Sequence, residues 1–261
     1  MTEFLSKKPI PPRERLIVAL DMPSAAEAKA LVERLGDAVW FYKLGLELFM
    51  GGGYFELMEW LAARGKKVFV DLKFFDIPQT VGSAVRNLAK RNAYFATVHA
   101  YDPVVEAALA NKGGTRILAV TVLTSFDDKD LANAGYRHDV RTTVLARARS
   151  ALARGCDGIV CSGQEAEAIR RELGPDLLLV TPGIRPFENR PSDGGRTKSV
   201  RLTPGQAPDD QKRAVDVEDA FRYGADYIVV GRPIRAAADP ALAAAEIQRR
   251  IAALFAGAAA R

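Results

Sequence analysis

A chain of 261 residues with 48% hydrophobic and 26% charged side chains reads as a soluble globular protein able to bury a large core, as one α/β domain or two smaller ones. The formal charge is +5, but lysine and arginine are scattered among aspartate and glutamate; no basic block forms a nucleic-acid-binding arm, whereas a small anionic substrate is compatible. Two cysteines, Cys156 and Cys161, are too few for a disulfide framework or a zinc site, and are expected as buried thiols in a reducing compartment. Neither MTEFLSKKPIPPRERL at the start nor any later segment approaches the roughly 18 apolar residues of a membrane span, so a cytoplasmic protein without membrane association is expected.

The first apolar run rich in β-formers is LIVALD at 16–21. It is followed by SAAEAKALVERLG, where Ser24 as N-cap, Glu27 three residues on and Gly36 just past the end predict a helix with a capping box and a glycine stop. VWFYKLG (39–45), KVFVDLK (67–73) and YFATVHA (94–100) are the next predicted strands. RILAVTVL (116–123) leads to Asp127, Asp128 and Asp130, a solvated turn and helix start, and then to the helical pattern VRTTVLARARSALARG. DGIVCS (157–162), LLLVTPG (177–183) and DYIVVGR (226–232) complete eight strands, the last preceded by the helical VEDAFRYG.

Eight strand–helix alternations predict a single-domain (β/α)8 TIM barrel over 1–261, with 1–14 as an N-terminal extension. A doubly wound open sheet is the competing fold. It usually carries a glycine-rich fingerprint after its first strand, where this chain has Asp21-Met22-Pro23. Between the seventh and eighth strands, residues 186–213 are long, polar and rich in glycine and proline, which predicts a mobile surface loop rather than a domain boundary.

Polar residues gather where the predicted strands finish: Asp21, Lys43, Asp71, Lys73, His99, Thr124 and Arg232. In a barrel of this kind that end carries the chemistry. Asp71 and Lys73 are two apart, so regular β alternation would aim both into the mouth, with Lys43 reaching them from the neighbouring strand. A carboxylate between two ammonium groups keeps all three charged; at ~4 Å and an effective dielectric of about 20, each opposite-sign contact is worth about 4 kcal/mol before desolvation is subtracted. Taken alone, such a trio suits a structural ion pair as well as it suits catalysis.

The motifs ALD (19–21), YKLG (42–45), DLKFFDIPQT (71–80), TVLTS (121–125), TPGIR (181–185), DDQKR (209–213) and VVGRPI (229–234) move that balance. With them the chain resembles the orotidine 5'-phosphate decarboxylase family from Leu16 to the GRPI after the eighth strand, and DxKxxD followed by I-P-x-T is the most specific of the set. The resemblance implies conversion of orotidine 5'-phosphate to uridine 5'-phosphate and CO2 in pyrimidine biosynthesis, in a homodimer with shared active sites and with no cofactor and no metal. It further implies that Lys73 donates the proton to C6, with Asp71 and Lys43 as charged neighbours, and that Asp21 binds the ribose hydroxyls. Asp76 and Thr80 match residues that the family contributes across the dimer interface, and Ile77 between them joins the substrate-binding set. Thr124 and Ser125 match pyrimidine contacts, and Pro182 in TPGIR joins the substrate-binding set. Arg185, Gln211, Gly231 and Arg232 match the phosphate set, with Gln206 as the substitute for Gln211 because the loop carries an insertion.

Chemistry supports that assignment. Loss of CO2 from C6 leaves charge on a carbon with little resonance relief, so a fixed cation must stabilise it and then protonate it; Lys73, held cationic by Asp71 and Asp76, serves both ends. Two further readings remain open at this level: a related Mg²⁺-dependent phosphosugar lyase in which the DxKxxD trio holds the metal, and a nucleotide-binding barrel without turnover. A Schiff-base aldolase is disfavoured because the flanking acids keep Lys73 protonated. His99 is expected as a hydrogen-bonded mouth residue and His138 as solvent-facing. The sequence departs from the family pattern at Phe75, at Gln79 and at Tyr101-Asp102-Pro103.

Overall fold

Each of the eight apolar runs forms a strand, and most of the strands are shorter than their runs because the last residues leave the ladder to build the mouth. They are β1 (Leu16–Ala19), β2 (Phe41–Leu44), β3 (Lys67–Phe74), β4 (Phe95–His99), β5 (Arg116–Val120), β6 (Gly158–Val160), β7 (Leu178–Thr181) and β8 (Tyr227–Val230). The computed structural model describes residues 3–186 and 214–259, so the loop expected over 186–213 falls almost wholly outside the described residues. All eight strands are parallel and close in sequence order, β8 pairing back onto β1 through Leu16 with Ile228 and Val18 with Val230. Helices lie between successive strands, so the architecture is the (β/α)8 TIM barrel rather than an open sheet.

Strand alternation divides the side chains into two cores. Val18, Tyr42, Val70, Ala96, Ala119, Ile159, Leu179 and Ile228 point outward and are buried against the helices. Ile17, Phe41, Phe69, Phe95, Leu118 and Tyr227 point inward and fill the barrel. Four of these are aromatic and pack ring on ring, Phe41 to Phe95 at 5.3 Å, Phe69 to Phe95 at 5.8 Å and Phe95 to Tyr227 at 5.2 Å. Offset and edge-to-face contacts of this kind add to the stabilisation from burial itself. Two residues further along three of the strands the inward positions become Lys43, Asp71 and Thr97, so a polar layer rests directly on the aromatic one.

The helix expected after β1 is α1 (Ala25–Leu35). Ser24 Oγ accepts from the Glu27 amide at 3.2 Å and donates to the Glu27 carboxylate at 2.9 Å, so the second half of the expected capping box is replaced by a side-chain pair. The connection from β2 to β3 holds two helices, α2 (Leu46–Gly51) and α3 (Tyr54–Ala62), separated at Gly52 and Gly53, whose φ values of 82° and 69° break the helix. After β3 to β6 come α4 (Pro78–Leu88), α5 (Asp102–Leu109), α6 (Asp128–Asn133), α7 (Val140–Ala153) and α8 (Gly163–Leu173). Asp127 caps α6 in a reciprocal box with Asp130, as the acidic run implied. Beyond β7 lie α9 (Val217–Arg222), α10 (Arg232–Arg235) and the long α11 (Pro240–Ala259). The last docks Ala244, Ile247 and Ile251 on the outside of the barrel. Among the described residues no helix is long and apolar enough to cross a membrane.

The N-terminal segment closes the base of the barrel. Ile10 packs on the inward core, and Ser6 and Lys8 both reach Asp226, which is fully buried and also receives Arg170 at 2.7 Å and the Leu179 amide at 2.9 Å. Cys156 and Cys161 are buried thiols that form no disulfide, as expected, and burial pushes Cys156 up to about 11.

Candidate active site

The mouth of the barrel opens into a cavity of about 440 Å³, lined by the ends of β1, β2, β3, β5, β6, β7 and β8. Ten of the residues singled out in the sequence line it: Asp21, Lys43, Asp71, Lys73, Thr124, Ser125, Pro182, Arg185, Gly231 and Arg232. Charges alternate across its floor. Lys43 Nζ lies 2.9 Å from Asp21 Oδ1 and 3.4 Å from Asp71 Oδ2, and Lys73 Nζ lies 2.9 Å from Asp71 Oδ1.

Burial acts on this array first and neighbours reverse it. For Lys43, desolvation would lower the ammonium's pKa, but Asp71 and Asp21 outweigh it and hold the group above the ordinary lysine value. For Asp71, desolvation would favour the neutral acid, but Lys43 and Lys73, together with hydrogen bonds from Lys73 and Thr97, keep it below the ordinary carboxylate value. Both groups are therefore charged through the neutral range.

The reason Asp71 and Lys73 meet differs from the expected alternation. Between Val70 and Phe74 the pairing of β3 with β4 shifts register, and Lys73 sits at φ 50°, a left-handed conformation that is uncommon for a residue with a side chain. The bulge turns the lysine toward the cavity, and it is the kind of local strain that clusters at functional sites.

Asp76, Ile77 and Thr80 are not part of the cavity. All three are exposed at the start of α4, and Asp76 Oδ1 accepts from the Ile77 amide at 2.6 Å. Within one chain the carboxylate holding Lys73 is thus Asp71, and Asp76 does not join it. His99 also departs from expectation: its side chain makes no hydrogen bond among the described residues and packs against Phe75 at 5.1 Å instead. Burial, and then the nearby Arg147 and Lys73, lower its pKa and hold it neutral. His138 is exposed, as expected. Gln211 and its substitute Gln206 lie outside the described residues. The chain on either side of that segment is held together by a parallel bridge between Ile184 and Val215, with the Arg185 amide donating to Val215 O at 2.9 Å.

Three contributors escaped the sequence reading. Gly45, the last residue of YKLG, is one: a Cβ there would stand 3.1 Å from Asp21 Oδ1 and 3.2 Å from Lys43 Nζ, so any side chain would crowd that ion pair. Arg235 is the second; it lines the cavity beside Arg232 and donates to the Asp21 carbonyl. Its spacing of three from Arg232 at the start of a helical turn was the available signal. Thr97, the third, was marked only by its inward position in β4. At Gly231 a Cβ would make an ordinary 3.5 Å contact with Ala19. Two of the departures meet in space, Phe75 stacking on Tyr101 with ring centroids 4.9 Å apart.

Comparison with known proteins agrees with this geometry. A family profile described as "Orotidine 5'-phosphate decarboxylase / HUMPS family" matches residues 14–247. The chain is 58% identical to the orotidine 5'-phosphate decarboxylase of Methylococcus capsulatus, over 98% of this chain and 99% of that one. It is 52% identical to the enzyme of the same name from Rhodopseudomonas palustris, over 92% and 95% of the two chains. The crystal structure of orotidine 5'-phosphate decarboxylase from Lactobacillus acidophilus superposes with a TM-score of 0.75 at 33% identity, covering 91% of this chain and 99% of that one. Profile match, identity and matched length show that the chain belongs to the orotidine 5'-phosphate decarboxylase / HUMPS family.

Proposed function

We propose that this protein decarboxylates orotidine 5'-phosphate to uridine 5'-phosphate and CO2, the step that completes the pyrimidine nucleotide, without cofactor. The observation that carries the reading is the alternating row Asp21, Lys43, Asp71, Lys73 at the floor of a cavity with arginines on its other wall. Lys73 is a fixed ammonium beside the position where C6 would lose its carboxylate. It stabilises the developing carbanion electrostatically and then delivers the proton, becoming neutral as the new C–H bond forms. Asp71, itself held ionised by Lys43, Lys73 and Thr97, keeps the Lys73 ammonium aimed. Its repulsion of the substrate carboxylate is a secondary contribution, which an Asp71 substitution that left turnover intact would remove.

The rest of the cavity divides by chemistry. Asp21, paired to Lys43, accepts from ribose hydroxyls; Thr124, Ser125 and Pro182 face the pyrimidine; Arg185, Arg232 and the Gly231 backbone take the phosphate. Binding energy collected at the phosphate orders the site for chemistry at the other end of the substrate. Asp76, Ile77 and Thr80 are read as serving the second copy's site in a homodimer. What supports this is their position outside their own cavity on an exposed segment that carries apolar side chains, Phe75 59% and Ile77 65% exposed.

The test is loss of the ultraviolet absorbance of orotidine 5'-phosphate on adding purified protein in EDTA, with Lys73→Ala as control. Loss is expected with the wild type, and a rate at least ~10³-fold lower with the variant. No loss in EDTA, together with turnover of a phosphosugar restored by Mg²⁺, would replace this reading with the metal-dependent lyase.

A further inference from the structure

The bulge in β3 poses a physical problem that one residue of β4 solves. Where the ladder slips between Val70 and Phe74, Lys73 has no registered partner in β4, and a half-buried amide left without a hydrogen bond is costly. The Thr97 side chain occupies that place: its Oγ1 accepts from the Lys73 amide at 2.9 Å and donates to Asp71 Oδ1 at 3.0 Å. A hydroxyl has one proton and two lone pairs, so the same atom serves both. Thr97 is fully buried, next along β4 on the inward side from Phe95, where the polar layer meets the aromatic one.

The geometry points to Thr97 as a positioning residue for the reaction proposed above: by tying the Lys73 backbone to the Asp71 carboxylate, its hydroxyl sets where the Lys73 ammonium stands. It does not line the cavity and acts through its two neighbours. The hydrogen bond it gives also contributes to keeping Asp71 ionised. The inference rests on the decarboxylase reading, and the experiment separates the two.

Three variants are compared with wild type: Thr97→Val, which keeps shape and loses the hydroxyl; Thr97→Ala, a second hydroxyl-free variant should valine fail to fold; and Thr97→Ser, which keeps the hydroxyl. The readouts are kcat and KM for orotidine 5'-phosphate below each variant's Tm, and the acid limb of the kcat profile. The expected result is a fall in kcat of about 10- to 100-fold in the valine or alanine variant, with KM within about threefold and kcat of the serine variant within about threefold of wild type. The acid limb should move to higher pH in the hydroxyl-free variant, because Asp71 has lost a donor to its charged form. Unchanged kcat without the hydroxyl, an unmoved acid limb, or serine as impaired as valine overturns the inference, the last by showing that packing of the methyl matters instead. A wild type that does not turn over orotidine 5'-phosphate at all removes the reaction assignment, and this inference with it.

Discussion

Lys73 carries two constraints at once, since its ammonium is paired to Asp71 while its backbone is held in a left-handed conformation that favours glycine. The pH response of the site follows from its neighbours. Asp71 has a depressed pKa, so the stability it contributes is present above the ordinary carboxylate value of ~3.9 and is lost as pH falls through the depressed folded value. Lys43 has a raised pKa, so its contribution is complete below ~10.4 and is lost as pH rises through the higher folded value. His99 is held below its ordinary value of ~6.5 and lies off the cavity. Turnover should therefore be flat from about pH 6.5 to about pH 9. An inflection near pH 7 in kcat, abolished by His99→Gln, would contradict the neutral, non-participating His99. Gly45 yields a sharper residue-scale prediction. Gly45→Ala places a methyl group within about 3 Å of both partners of the Asp21–Lys43 pair and should raise KM or lower kcat by about tenfold or more at nearly unchanged Tm. Wild-type kinetics in that variant would mean the pair has slack that the packing does not show.

Among the elements, β3 does the most with the least regularity. Its first half, Lys67 to Val70, pairs with β2 and places Phe69 in the aromatic layer; its second half breaks register, supplies the site and runs directly into the exposed 75–80 segment that starts α4. One strand thus serves core, chemistry and rim in sequence. The N-terminal segment is the opposing element at the base, where Asp226 gathers Lys8, Ser6 and Arg170. Removing the charge by Asp226→Asn leaves buried or half-buried cations without a counter-ion and should cost about 3–5 kcal/mol in urea unfolding, with activity per folded molecule retained. A loss below about 1 kcal/mol would show that water already shares the load at that end.

At the scale of the whole molecule the barrel separates stability from chemistry, the Asp226 latch at one end and the charged row at the other, with the aromatic layer between them excluding water from below the site. Asp76 lying outside its own cavity makes the assembly testable. Lys73→Ala and Asp76→Ala chains, each nearly inactive alone, should regain about a quarter of wild-type activity after subunit exchange at equal amounts, since half the dimers are mixed and each mixed dimer carries one intact site. No recovery in mixtures that exchange, as followed by native mass spectrometry, would sink the shared-site reading.

By itself the sequence determined the eight strands, their order and the identities of the cavity's charged groups other than Arg235. Those features are written in local signals: apolar runs of strand length, the Ser24 cap and Gly36 stop, and polar residues falling at strand ends. Only the tertiary structure decided how Asp71 and Lys73 meet, because a bulge depends on what the neighbouring strand offers and Thr97 is 24 residues away along the chain. The same holds for Gly45, whose missing side chain matters only because Asp21 and Lys43 converge on it, and for His99, which spacing at a strand end could not distinguish from a cavity residue. Periodicity reports which face a side chain takes while the ladder is regular; where the ladder slips, contacts between distant segments settle the position, and in this chain the slip falls at the lysine.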